Sequence, residues 1–252
     1  MELWTLTHLF QIIPTFTLFA ILSVIAAKTL GRCKRQIKYI PLKIIAALLL
    51  ALEVIKQICS IGEDGVYDLY SLPFHYCSLF LYLLPLHAFY RGKHSHIIDI
   101  AAFGCLATLS FDILLMPSVI YDENDIQNFF NNFLDFHTVI FHNLVILYFM
   151  LSVALKLYEF NTKHDIKVIG IFISVYIPIA AVLSYSLKVN FHNLYECSVG
   201  FLEDAHVSLV NSLGIFGTLI YAGSVFALTL LFTFASYFVA RYVINRINKI
   251  GN

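Results

Sequence analysis

Seven apolar runs, each near 20 residues, dominate this 252-residue chain. About 20 apolar residues in a helix cross the ~30 Å hydrocarbon layer of a bilayer. The runs fall at roughly 6–28, 39–60, 71–90, 97–117, 132–156, 167–187 and 213–240. They predict an all-α membrane protein, a single domain over 1–252 with seven transmembrane helices. Composition agrees, with 60% hydrophobic and 13% charged residues, 23 Phe and 15 Tyr; soluble domains carry about a quarter charged residues. The first run is long enough to span and no basic segment precedes it, so it reads as a retained helix rather than a cleavable signal.

Charge in the connections sets an expected orientation. One set holds Arg32, Lys34, Arg35 and Lys38, then Arg91 and Lys93, then Lys163, then Arg241, Arg246 and Lys249. The other holds Glu63, Asp64 and Asp68, then Asp122, Glu123 and Asp125, then Glu196, Glu203 and Asp204, with Lys188 its only base. Cytoplasmic loops carry the excess of Lys and Arg, which predicts the N-terminus outside and the C-terminus inside. The formal net charge is zero, so no basic field points to nucleic acid. Five cysteines without a C-x-x-C give neither a zinc knuckle nor a redox pair. No cofactor or resident metal is predicted, and the expected partner is membrane lipid.

With helices oriented, each intramembrane polar residue acquires a depth. Glu53, Lys56, His75, Cys77, Asp112, Asp135, His142 and His192 fall in one band of the outer half, from four helices and a loop. Ionisable groups in hydrocarbon are costly and mark a functional site or a buried pair. Bland alternatives exist for each. Glu53 and Lys56 at i, i+3 can neutralise one another; His75 can simply bond a neighbouring helix; Cys77 can be a packing residue; Asp112 can face outer water. His87, His94 and His96 read as interfacial. The inner halves of the spans read as nearly all apolar.

Helical geometry then limits the pairs. On a continuous helix His75 and Cys77 are about 200° apart and cannot meet. Asp135, Thr138 and His142 share one face, with His137 off it. Cys77 as a nucleophile therefore takes His142 as its base, with Asp135 or Asp112 orienting the imidazole. Otherwise His75 faces His142 and Cys77 only packs. Ser71 and Pro73 are expected to start the third helix, and Pro85 to kink it. The outer segment after 188 is aromatic enough to fold back, bringing His192, Asn193 and Tyr195 over a substrate, alongside Glu53 and Lys56.

LPFHYCSLFLYLLPL, residues 72–86, resembles the LPLHLCS…LLPL helix of the YwaF-like integral membrane family of bacteria. FHTVIFHNLVIL (136–147) resembles its F-x-x-S-H-G helix, with Asn143 in place of the glycine. NFHNLYE (190–196) and SLVNSLGIFGTLIY (208–221) resemble two further segments, the second without the family's Pro and Trp. That family is similar to the eukaryotic transmembrane-protein-164 type, for which a cysteine-dependent phospholipid acyl transfer has been proposed. The resemblance implies a multi-pass protein of a bacterial plasma membrane acting on lipid acyl chains, with Cys77 the position to test. Two other readings stay open. One is a zinc-dependent hydrolase using His75 and His142, because Ser71-x-x-x-His75 and Asp112 are similar to the ceramidase-like superfamily. Its last-helix H-x-x-x-H pair is missing from 213–240. The other is a transporter or binding protein for a small solute or lipid.

Overall fold

The computed structural model describes residues 4–62, 65–197 and 200–250. Glu63 and Asp64, and the Lys249 side chain, which entered the orientation argument, lie outside that description. The described residues are helical, with no strand beyond an isolated bridge between Ile61 and Tyr67. In chain order come α1 (Leu6–Leu30), a short α2 (Arg35–Lys38), α3 (Ile40–Cys59), α4 (Leu79–Phe89) and α5 (Ser95–Leu115). Two short turns follow, α6 (Pro117–Ile120) and α7 (Glu123–Gln127), then α8 (Phe133–Ala154), α9 (Thr162–Leu187), α10 (Gly200–Leu213) and α11 (Ile215–Ile250).

Five of these, α1, α5, α8, α9 and α11, are long and apolar enough to cross a membrane. α3 has the length but carries Lys43, Glu53 and Lys56. The third expected span contributes only the 11 residues of α4. The last expected span is α11, and before it α10 occupies what the sequence reads as a connection: Gly214 sits between them at φ +56°, a left-handed conformation that glycine adopts without penalty. There α10 ends and α11 begins, running on well past residue 240.

α5 lies at the centre, packed against α4, α8, α9 and α11. It is buried almost all round from Asp99 to Leu109, which a helix in the middle of a bundle must be. Small residues allow this closeness, as in membrane bundles generally. A Cβ on Gly104 would stand 2.9 Å from two side-chain atoms of Ile169 on α9.

The bundle has an acidic-loop end and a basic-loop end. At the first, Thr5 caps α1, buried His8 reaches the Tyr121 carbonyl at 3.0 Å and Thr7 donates to Glu123 at 2.5 Å. At the second, Arg35 bridges to Asp99 and Glu159.

Candidate functional site

The chain from Leu72 to Ser78 departs from expectation. Leu72, held at φ −59°, ψ 140°, is excluded from the helical region by the ring of Pro73. His75 is extended at φ −68°, ψ 158°, and Tyr76–Ser78 makes one 3-10 turn before α4 begins. Pro73 thus delays the helix instead of starting it. The 200° separation of His75 and Cys77, which needs a continuous α-helix, does not apply. α4 then continues through Pro85.

This irregular segment dips into the bundle. Tyr76 is buried, its hydroxyl beside Cys105 and Thr108 near the middle of α5. The Tyr176 hydroxyl of α9 donates to the Phe74 carbonyl at 2.9 Å. From the other side comes the 188–197 loop, which folds back as its aromatic content predicts. Phe191 and Leu194 are fully buried, and Phe191 packs edge-on against the His75 ring at 5.1 Å. Between these anchors His192 and Asn193 are both left-handed, at φ 56° and 54°. Such conformations cost about 1–3 kcal/mol each and persist only where the surroundings impose them. Here the Tyr221 hydroxyl donates to the Asn193 carbonyl at 2.6 Å. The His192 ring lies 5.3 Å from Tyr76 and 6.0 Å from Tyr176. Tyr76, Tyr176 and His192 thus form one aromatic nest, with His75 next to it against Tyr70 and Phe191.

Backbone carbonyls only accept, so they identify which imidazole nitrogens carry protons. His142 Nδ1 lies 2.7 Å from the Thr138 carbonyl and must be protonated. Its buried Nε2 has no hydrogen-bond partner and presents a bare lone pair. His75 Nε2 meets the Tyr70 carbonyl at 2.8 Å, leaving Nδ1 as its acceptor. His142 has His75, Lys56 and His137 within electrostatic range. Cys77 is half-buried against the core, with Asp112 as its charged neighbour. Among the described residues no hydrogen bond joins Cys77 to a histidine.

The remaining candidates divide between neighbouring sites. Glu53 is bound by Lys56 at 3.2 Å and Gln57 at 2.5 Å, and His137 Nε2 lies 3.4 Å away. The i, i+3 pair exists, and His137, placed off the important face by sequence, is its third member. Asp135 lies instead against Asp122 and Asp125 of α7. The His142 nitrogen that an orienting carboxylate would need is already engaged by Thr138. Tyr195 lines a cleft of about 360 Å3 with Asp68, Tyr70 and Lys188.

The basic-loop end is less apolar than the sequence reading had it. His87, placed there at the interface, is fully buried. Its Nδ1 lies 2.5 Å from the Tyr148 hydroxyl, and its Nε2 faces Asp99 at 3.5 Å. Arg91 reaches the same carboxylate at 3.6 Å while stacking over Tyr39. An acid inside a span, flanked by loops bearing arginines, was the available signal. Nearby, His96, His164 and Asp165 bring one donor atom each to within 4.8 Å of one another. Among the described residues this is the set gathered at ligand distance; His75, His142 and His192 are not.

A family model described as the TMEM164 family matches residues 3–236. No curated protein and no solved structure matches the chain.

Proposed function

The chain belongs to the TMEM164 family, and on that premise we propose that it is a membrane-embedded enzyme that transfers or hydrolyses lipid acyl chains, with Cys77 as nucleophile. The observation that carries the reading is the segment 72–78, extended and then 3-10 rather than α-helical. Irregular backbone at membrane depth is tolerated only where protein buries it or it lines a cavity, and this segment holds a thiol beside the aromatic nest. His142 Nε2, a buried lone pair without a partner, is the base. It takes the Cys77 proton, and the thiolate attacks an acyl-ester carbonyl carbon. The ester C–O bond breaks, the acyl group stays on sulfur as a thioester, and the departing lysolipid oxygen takes the proton from His142. A second lysolipid hydroxyl, or water, then gives its proton to His142 and attacks the thioester, restoring the thiol. In this reading substrate binding draws Cys77 and His142 together, as catalytic contacts often tighten only in the complex. His75, whose N–H is held by the Tyr70 carbonyl, flanks the reacting ester with its Nδ1 acceptor. His192, Asn193 and Tyr195 cover the headgroup, with Glu53 and Lys56 at its flank. Asp112 is the carboxyl group beside the Cys77 thiol.

The same proposal takes α3 and residues 72–89 as two further crossings. That makes seven in one domain, with the N-terminus outside the plasma membrane of a bacterium, as the YwaF-like resemblance implies. A second reading, a transporter or binding protein for lipid or solute, is favoured by the same broken helix, since discontinuous helices form transporter sites. The polar cluster at His87 and Asp99 also favours it.

The deciding experiment reconstitutes the protein in nanodiscs with an isotope-labelled phosphatidylcholine and an unlabelled lysophospholipid. Acyl exchange is followed by mass spectrometry and a hydroxylamine-sensitive acyl label is sought on Cys77. The enzyme reading expects exchange in wild type and none in Cys77→Ala or His142→Ala, with both variants folded. Unchanged exchange in Cys77→Ala removes the nucleophile. No exchange in wild type, together with movement of labelled lipid between leaflets, moves the assignment to transport.

A further inference from the structure

We propose that His96, His164 and Asp165 form a binding site for a divalent transition metal of the zinc class at the basic-loop end, separate from the Cys77 region. The three come from two helix starts. His96 is in the first turn of α5, and His164 and Asp165 are in the first turn of α9. His96 Nε2 and His164 Nδ1 each lie 3.9 Å from the same oxygen, Asp165 Oδ1. The two imidazoles stack with centroids 5.0 Å apart.

A purely structural role explains only half of Asp165. Its Oδ2 accepts from the Tyr237 hydroxyl at 2.6 Å and from the Asn161 amide at 2.8 Å, the latter closing the start of α9. Its Oδ1 has no hydrogen-bond partner although the side chain is fully buried, and His164 Nδ1 is a second buried atom without one. Both face the same small space. A charge-assisted hydrogen bond would have drawn nitrogen and oxygen to about 2.7–2.9 Å. Ligands at 2.0–2.2 Å from a tetrahedral zinc stand roughly 3.3–3.6 Å apart. The observed 3.9 Å closes to that range by small rotations of the two rings.

The donor chemistry selects the metal. Two imidazoles and one carboxylate suit zinc and its neighbours, whereas magnesium and calcium prefer all-oxygen shells. The Tyr237 hydroxyl, holding the other carboxylate oxygen, is the outer-shell bond that fixes a ligand's orientation. Two helix N-termini oppose a cation here, and the Asp165 carboxylate offsets them. A bound ion would tie α5 to α9 and, through Tyr237, to α11, with a fourth position left for water.

The test uses the full chain in detergent, stripped with a chelator and dialysed against zinc chloride, with bound zinc measured by mass spectrometry. Cobalt(II) visible absorption reports the ligand set. Wild type should hold one zinc per chain. His96→Ala and His164→Ala should each lose it along with the cobalt bands, and Tyr237→Phe should weaken binding at least about 10-fold. His142→Ala should retain wild-type stoichiometry. Zinc retained by a His96→Ala/His164→Ala double variant overturns the proposal, as does no zinc in wild type or zinc lost in His142→Ala.

Discussion

His192 Nε2 lies 2.9 Å from Thr229 Oγ1 of α11, and the same hydroxyl donates to its own Val225 carbonyl at 2.8 Å. With its proton spent, the hydroxyl can only accept, so His192 is the donor and its other nitrogen is free to accept. Thr229→Val keeps the shape and leaves the imidazole N–H without an acceptor, which costs about 1–3 kcal/mol. A lower midpoint of thermal unfolding in detergent, and faster proteolysis within 188–197, are expected for Thr229→Val and not for Thr229→Ser. Equal behaviour of the two variants would show that the bond contributes nothing.

Gly104→Ala should destabilise through contact with Ile169. The added Cβ meets Ile169 Cδ1 and Cγ1 at 2.9 Å, and overpacking of this kind costs about 1–3 kcal/mol. Ile169→Ala opens the space, so the double variant should be more stable than the sum of the single losses predicts. Additive losses in a double-mutant cycle would refute the contact.

Asp125, in the α7 turn, has its carboxyl pushed up to about 6, first by burial and then by the charges of Asp122 and Asp135. The folded form therefore binds more protons than the unfolded chain between about pH 4 and 6. By linkage, this residue's contribution to stability is greatest below the unfolded value and is lost as pH rises through about 6. Asp125→Asn can keep the acceptor for the Asp122 amide. It should raise the unfolding temperature at pH 8 more than at pH 4.5. Equal gains at both pH values would remove the charge as the cause.

The proposed orientation places Cys59 outside and Cys33 inside. Cys59 is exposed and Cys33 half-buried, so single-cysteine variants report directly. A membrane-impermeant maleimide should label the Cys59-only chain on intact cells and the Cys33-only chain only after permeabilisation. The reverse pattern inverts the topology.

The positions of the long apolar helices were largely legible because runs of Leu, Ile, Ala and Phe have few alternatives in lipid. The starts of α5, α8 and α9 fall within five residues of expectation. What was not legible came from local stereochemistry and tertiary packing. Leu72–Pro73 reads as a helix start by composition, but the ring's exclusion of its neighbour moves the start to Leu79. Gly214 sets the start of α11, and the helix α10 before it reads in sequence as part of a connection. Depth along the helices groups His75 with His192 and Glu53 with Lys56. The turn of Asp135 toward Asp125 was not legible, because depth fixes height along a helix and not the azimuth at which a side chain leaves it. His87 reads as interfacial and Asp165 does not stand out in the sequence, yet both are fully buried.

The shortness of α4 bears on the surrounding lipid. Eleven residues rise only about 16 Å, roughly half the hydrocarbon thickness. The other half of that wall is made by chain whose backbone groups are not all paired within a helix. In the proposed seven-crossing topology the bilayer around α4 thins, or its acyl chains splay, to match the shorter apolar surface. That topology would put a dimple beside residues 72–78, where a lipid's ester linkage sits deeper than in the undisturbed leaflet. Thickness then becomes a control variable: long-chain lipids oppose the dimple and short-chain lipids favour it.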